Sequence, residues 1–283
     1  VVVGVDGSPQ SRVAVDWAAR DAELRDVPLT VVHVLPAVTL GLGHVLPESP
    51  AFWARREERA RELVDQALGW VRDAISAEPG IAVHHRIVLD SVVPAIVEMS
   101  SDAELLVVGA RGLGGVRRLL LGSVSSGLVH QAHCPVAVIH DEDPMMPYPA
   151  HAPVAVGVDG SPASDLALGL AFEEASRRGV DVVAVHVCSD ETDAPAIAPL
   201  TDSAAETLSS TLASWMERYP EVTVHRVVAE GRPAPQLLEQ SERAQLMVVG
   251  SRGRGGFAGL SLGSVSSAVA QSARMPVIVA RQR

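Results

Sequence analysis

The sequence contains no lysine and no asparagine, so all 23 of its basic residues are arginine and any mechanism that needs a lysine is excluded. Both absences fit the codon bias of a GC-rich genome. Aromatic residues make up only 3% of the chain although 47% is hydrophobic. The apolar content is therefore Val, Ala, Leu and Ile, the composition that buried parallel strands require. Only two cysteines occur, Cys134 and Cys188, without metal-ligand spacing and beside apolar segments, which reads as small core residues in a reducing cytoplasm. No apolar run approaches the roughly eighteen residues of a membrane span, and no charged segment followed by an apolar one precedes the first strand-like run. A cytoplasmic chain without signal peptide or membrane contact is the expectation. A positive surface is missing too: the net charge of −11 argues against nucleic acid or anionic membrane as a general partner. Any anion bound here is held by local geometry.

What is present is a duplication. Residues 2 to 9 (VVGVDGSP) recur as residues 155 to 162 (AVGVDGSP), and His33-Val34 recurs as His186-Val187. Later landmarks recur at a shorter offset, so the second copy is about twelve residues shorter between its second and third strands. Residues 142 to 152, rich in proline and without periodicity, read as a linker between domains 1–141 and 153–283. At 283 residues the chain is long for one unit and sufficient for two cores.

Each copy alternates strand and helix patterns, which implies a parallel sheet covered on both faces. In the first, strands are expected at 1–6, 29–35, 81–89, 104–109 and 136–140. Helices are expected at 10–25, marked by Val13, Trp17 and Leu24, along the stripe Ala60, Leu63, Val64, Ala67, Leu68, Val71 and Ile75, after Pro94, and from Ser123 to His130. In the second copy Leu208, Leu212, Trp215, Met216 and Tyr219 form the matching stripe. Five strands connected this way make a doubly wound α/β domain, and two of them in tandem make the chain. Ligands of such sheets bind beyond the carboxyl ends of the strands, where the strand order reverses.

The chemistry-bearing stretch follows the fourth strand in both copies. Leu105–Ser126 and Leu246–Ser267 share Gly-x-x-Gly, nine residues, then Gly-Ser-Val-Ser. These are Gly109, Gly112, Gly122, Ser123, Val124 and Ser125 in one copy and Gly250, Gly253, Gly263, Ser264, Val265 and Ser266 in the other, with further glycines at Gly114, Gly115, Gly255 and Gly256. A loop that leaves a strand on glycines and enters a helix on small hydroxyl residues presents backbone N–H groups to an anion. Gly109 and Gly112 are expected to allow close approach and positive φ. Ser123 and Ser264 are expected to cap the following helix. Arg111 and Arg252, at matching loop positions, either neutralise terminal phosphates or stand as solvated loop charges. The pattern is neither a GxGxxG dinucleotide fingerprint after the first strand nor a Walker loop, for no GK[ST] exists.

Together, the strand-one GVDGS, the His-Val that ends strand two and the glycine-serine loop, in order and twice, make the chain resemble a tandem universal stress protein of the ATP-binding subclass. That resemblance covers both halves nearly end to end. It implies a Rossmann-like fold akin to adenine nucleotide alpha hydrolases, sheet order 3-2-1-4-5 in each domain, and one ATP per domain, two per chain. By the same resemblance the backbone of Val34 and Val187 meets adenine. Asp6 and Asp159 sit near the ribose, and Gly4, Val5, Gly157 and Val158 belong to the nucleotide-binding set. The loops Gly109-Ala110-Arg111-Gly112 and Gly250-Ser251-Arg252-Gly253 hold the phosphates with the serines. It also implies that the fifth strands pair across a two-fold axis, so that the two domains form a pseudo-dimer with contact between 136–139 and 277–279. A homodimer and an unknown regulatory protein partner remain open.

Other residues carry blander readings. His33 and His186 read as satisfied core histidines, and the His130/His133 pair has no repeated carboxylate or cysteine that would make it a metal site. Asp6 is placed to take a Mg²⁺ or activate water, yet no paired carboxylates or positioned glutamine of a fast hydrolase accompany it. The expected function is a nucleotide-dependent stress sensor or regulator with hydrolysis slow or absent. The alternatives are a slow ATPase or nucleotidyl-transfer enzyme, and a structural module whose loops have lost their ligand. Segment 36–53, with Leu40, Leu42, Val45 and Phe52, is a candidate lid or interface.

Overall fold

The strands are valine-rich runs of three to seven residues. The computed structural model of the chain describes residues 1–36, 50–75, 80–113, 121–140, 151–188, 200–254 and 262–281, with backbone alone at 200–203. Its contacts divide it into two units, Val1–Cys134 and Pro135–Arg283.

The first unit runs β1 (Val2–Gly4), α1 (Pro9–Arg25), β2 (Leu29–Leu35), α2 (Pro50–Ala74), β3 (Val83–Leu89), α3 (Val92–Met99), β4 (Leu106–Gly109) and α4 (Ser123–Gln131). Its strands lie in the order β3-β2-β1-β4, all parallel, with Val3 opposite Val31 on one side and Val107 on the other. Strand order reverses between β1 and β4, so the ends of these two strands frame the switch point.

The second unit runs β5 (Val136–Ile139), β6 (Val154–Gly157), α5 (Pro162–Arg178), β7 (Val182–Cys188), α6 (Leu200–Arg218), β8 (Val224–Glu230), α7 (Pro233–Ser241), β9 (Leu246–Gly250), α8 (Ser264–Ser272) and β10 (Val277–Ala280). Here β10-β9-β6-β7-β8 repeats the parallel order, and β5 is added antiparallel to β10 with Ala137 opposite Ile278. This is the fifth-strand contact implied at the sequence level. All four residues of each partner are buried, so the pair satisfies two edges that would otherwise expose unpaired N–H and C=O groups. The contact division accordingly falls before β5, earlier than the proline-rich 142–152 segment, most of which lies outside the described residues.

Local rules explain the helix starts. In α1, Ser8 is the N-cap, its Oγ accepting from Ser11 N at 3.1 Å, and Pro9 occupies the first turn where its missing N–H costs nothing. Ser161 and Pro162 repeat this in α5. The face that α1 buries is Ala14, Val15, Ala18, Ala19 and Ala22, while Leu24 is exposed. The expected markers Val13, Trp17 and Leu24 thus lie off the sheet, because a helix pressed against a strand end has room for alanine and not for indole. Similarly, α3 begins at Val92, ahead of Pro94, which sits in the first turn. The outer strands β3 and β8 have no fully buried residue, and β3 carries His84, His85 and Arg86 exposed along its edge. Charge of that kind discourages strand-to-strand association.

Candidate functional site

Beyond β1 the chain turns on Asp6 and Gly7, with Gly7 at φ 86° and its counterpart Gly160 at φ 73°, a conformation that glycine adopts without strain. Asp6 Oδ1 accepts from Ser8 N at 2.9 Å, and Oδ2 accepts from Leu113 N at 2.9 Å, in the glycine loop beyond β4. In the second unit Asp159 accepts from Ser161 N at 2.9 Å and from Arg254 N at 3.1 Å. The expectation that each aspartate and its loop face one cleft is therefore met by direct hydrogen bonds. Burial pushes the Asp159 carboxyl up, but bonds from Ser161, the Arg254 N–H and Ser164 outweigh it and hold the group below its ordinary value.

The glycines serve contact rather than unusual torsion. Among the described residues, Gly109, Gly112, Gly250 and Gly253 do not have positive φ, which corrects that part of the sequence reading. A Cβ at Gly109 would stand 3.0 Å from the Gln10 carbonyl carbon, and one at Gly250 would stand 2.6 Å from Ala163 O. The end of β4 or β9 touches the first turn of α1 or α5, and only glycine leaves the space. A Cβ at Gly112 or Gly253 would overlap the aspartate Oδ2. The loop is closed by Gly122 N donating to Ala110 O and Gly263 N donating to Ser251 O, each at 2.7 Å.

The helices that follow are capped by Gly122 and Gly263, with no side-chain cap bond, so Ser123 and Ser264 are first-turn residues and not caps. Both are exposed. Gly122 and Gly263 have extended φ and ψ, which places the helix entry one residue earlier than the hydroxyl pattern suggested. The N–H groups of Ser123, Val124 and Ser125, and of Ser264, Val265 and Ser266, lie in the first turn, where no intrahelical acceptor exists. Ser125 and Ser266 are buried, and their hydroxyls donate to Gly109 O at 2.6 Å and Gly250 O at 2.5 Å. Their side chains lock helix to strand.

His33 Nδ1 meets Val5 O, and His186 Nδ1 meets Val158 O, both at 2.8 Å. The histidines tie strand two to the end of strand one, as core residues would. Val5, Val34 and Val158 are buried, and Gly4 and Gly157 abut the side chains of Ile96 and Leu237. Gly114, Gly115, Gly255, Gly256 and most of segment 36–53 lie outside the described residues.

A cleft of about 590 Å³ opens beside the second loop, lined by Ser161, Ala163, Ser251, Arg252, Gly253 and Arg281 among others. Val187 does not line it. The sequence reading missed Ser161, Ala163 and Arg281; Ser-Pro after the Asp-Gly turn was the available signal for the first two, since it announces a helix start facing the loop. The helix start that lines it is that of α5, where Pro162 has no N–H and Ser164 N is held by Ser161 Oγ; residues 263–266 of the other helix start are not part of its lining. Among the described residues no group of three or more His, Cys, Asp or Glu is placed to hold a metal, and no helix is long and apolar enough to cross a membrane.

Fold and site together define a class: a duplicated doubly wound α/β chain whose strand-one aspartate is bonded to a glycine loop beyond strand four. The family model described as the universal stress protein family matches residues 1–140 and 152–281, and the chain belongs to that family. Universal stress protein Rv2623 of Mycobacterium tuberculosis is 54% identical over 287 residues, covering all of this chain and 96% of the relative. Universal stress protein Mb2028c of Mycobacterium bovis is 50% identical, with 100% and 97% covered. Among solved structures, a universal stress protein from Archaeoglobus fulgidus superimposes with a TM-score of 0.74 at 22% identity, covering 99% of this chain and 96% of that one, a likeness of fold.

Proposed function

We propose that this chain is an ATP-binding regulator of the stress response, with one nucleotide site in each repeat and little or no hydrolysis. The observation that carries the reading is the bond from the strand-one carboxylate to the loop backbone, Asp6 to Leu113 N and Asp159 to Arg254 N. It draws the strand end, the glycine loop and the first turn of α4 or α8 into one place. Phosphates take the free first-turn N–H groups and the helix dipole, with Arg111 or Arg252 adding charge. Each Asp6 oxygen, with one backbone donor, keeps a second lone pair for a ribose hydroxyl, so nucleotide binding there does not require breaking the loop bond. The backbone at Val34 and Val187 is left for adenine.

The same bonds disfavour catalysis. A carboxylate held below its ordinary range by backbone donors, as Asp159 is, is a weak general base, because proton abstraction is best served by a group poised near the working pH. Mg²⁺, if it accompanies ATP, is held chiefly by phosphate oxygens. Occupancy stabilises the fold and biases association with a regulatory protein or a second copy in the cytoplasm. Addition of ATP should raise the melting temperature of the chain, and the Gly112→Ala, Gly253→Ala double variant should lose that rise. A melting temperature indifferent to ATP in the unmodified chain overturns the binding reading. Sustained ATP turnover that vanishes in Asp6→Ala, Asp159→Ala overturns the non-catalytic one.

A further inference from the structure

One arginine stands where the packing pattern of its helix calls for an apolar side chain. In α2 the residues Ala60, Val64, Ala67 and Val71 are buried at helical spacing, and Arg56 is the position one turn earlier on that face. Its Nη2 donates to Pro36 O at 2.8 Å, two residues past Val34 at the carboxyl end of β2. Two turns further along the helix, Leu63 reaches the end of β1: a Cβ at Gly7 would stand 3.0 Å from its Cδ1. Helix α2 therefore walls the crevice beyond the carboxyl ends of β1 and β2, with Leu63 beside the Asp6-Gly7 turn and Arg56 at the end of β2. Phe52 and Trp53 back the guanidinium, whose Cζ lies 5.7 Å and 5.4 Å from their ring centroids. Arg56 Nη1 is buried and has no hydrogen-bond partner among the described residues. A buried guanidinium N–H without an acceptor is costly, and an acceptor arriving in the crevice relieves that cost.

We propose that Arg56 is a specificity-determining residue of the first nucleotide site, donating from Nη1 to a ring nitrogen of the purine. The proposal rests on the ATP-binding reading above, which sets the ribose at Asp6 and the base at the Val34 backbone. Helix α2 runs past both of those points, and Arg56 is at the base end of it. Adenine that meets a peptide backbone through N1 and its amino group keeps N3 and N7 as acceptors for a further donor. The phosphates belong to the opposite end of the nucleotide, on the glycine loop, so the contact is a reading of the base and not of charge. The second repeat has no equivalent, for residues 189–207 contain no arginine and no aromatic residue. Base recognition by a guanidinium at the start of the second helix therefore belongs to one site of the two.

The test is calorimetric titration of the full chain with ATP, 3-deaza-ATP, 7-deaza-ATP and ribose 5-triphosphate. In the unmodified chain one site should bind one of the two deaza analogues about tenfold more weakly than ATP, the size of one charge-assisted hydrogen bond. Arg56→Leu should weaken ATP at that site by about the same factor and erase its discrimination against that analogue. Binding of ribose 5-triphosphate, which has no base, should be unchanged by the substitution. Both analogues binding as tightly as ATP at both sites of the unmodified chain overturns the proposal, and that measurement decides alone if Arg56→Leu does not fold. An Arg56→Leu chain that keeps the discrimination, or that weakens ATP and ribose 5-triphosphate equally, also overturns it while leaving ATP binding intact. Failure of the unmodified chain to bind ATP overturns both readings.

Discussion

The helix after the first strand ends in the left-handed conformation in both repeats, on Asp26 at φ 54° in one and on Gly179 at φ 64° in the other. The last turns of these helices also carry buried ion pairs built differently. Arg25 Nε meets Asp21 Oδ2 at 2.7 Å with both side chains almost inaccessible, whereas Arg178 meets Glu174 at 2.9 Å and Arg177 stands 3.5 Å from the same carboxylate. Around the cleft the two copies agree closely: the same carboxylate bond to the loop, the same serine hydroxyl on the strand-end carbonyl, the same loop closure. One chain thus contains its own control. Features remote from the cleft are solved in two ways, so the fold tolerates variation there, and the hydrogen bonds that join strand, loop and helix at the cleft are solved in one.

The comparison is broken most severely at the ion pairs. Arg25→Ala should cost about 3 kcal/mol or more, since it leaves a buried carboxylate short of its closest cation, and Arg178→Ala should cost less because Arg177 is at hand. Denaturant unfolding of the two variants measures the difference, and equal costs would show that Arg177 does not compensate. Next come the glycines at the strand ends. Gly250→Ala forces a Cβ against backbone at 2.6 Å and should cost about 3 kcal/mol, while Gly109→Ala, at 3.0 Å, should cost about 1 to 2 kcal/mol.

Acid stability sharpens the comparison at the cleft. Because the Asp159 carboxyl is held below its unfolded value of 3.8, its contribution is complete above that pH and is lost as pH falls through the folded value. Asp159→Asn should therefore flatten the fall in melting temperature below about pH 4. An unchanged acid limb would remove the carboxylate from the account of stability. The smallest effect is expected at the helix ends: Asp26→Gly should stabilise by about 0.5 kcal/mol and Gly179→Asp should destabilise comparably, both read as shifts in unfolding midpoint.

Much of this was legible in the sequence because the duplication supplied two readings of each element. The doubly wound architecture and the convergence of Asp6 with its loop followed from the βα alternation and the switch-point rule, while the sheet order and the fifth-strand pairing followed from the family resemblance. The glycine torsions did not follow, since Gly109 is required by Gln10 and Gly112 by Asp6, partners that only strand register brings together. The cap at Gly122 was hidden behind a more typical capping residue one position later. Ser125, placed by the resemblance among the phosphate-holding residues, turns its hydroxyl onto Gly109 O, a contact its sequence position does not reveal.

The central claim is that both cradles hold an adenine nucleotide. Mass spectrometry of what is released on denaturing the chain, purified without added ligand, tests it most directly. The account predicts adenine nucleotide approaching two per chain. Release of no nucleotide, from a chain whose melting temperature ATP also leaves unchanged, would contradict it.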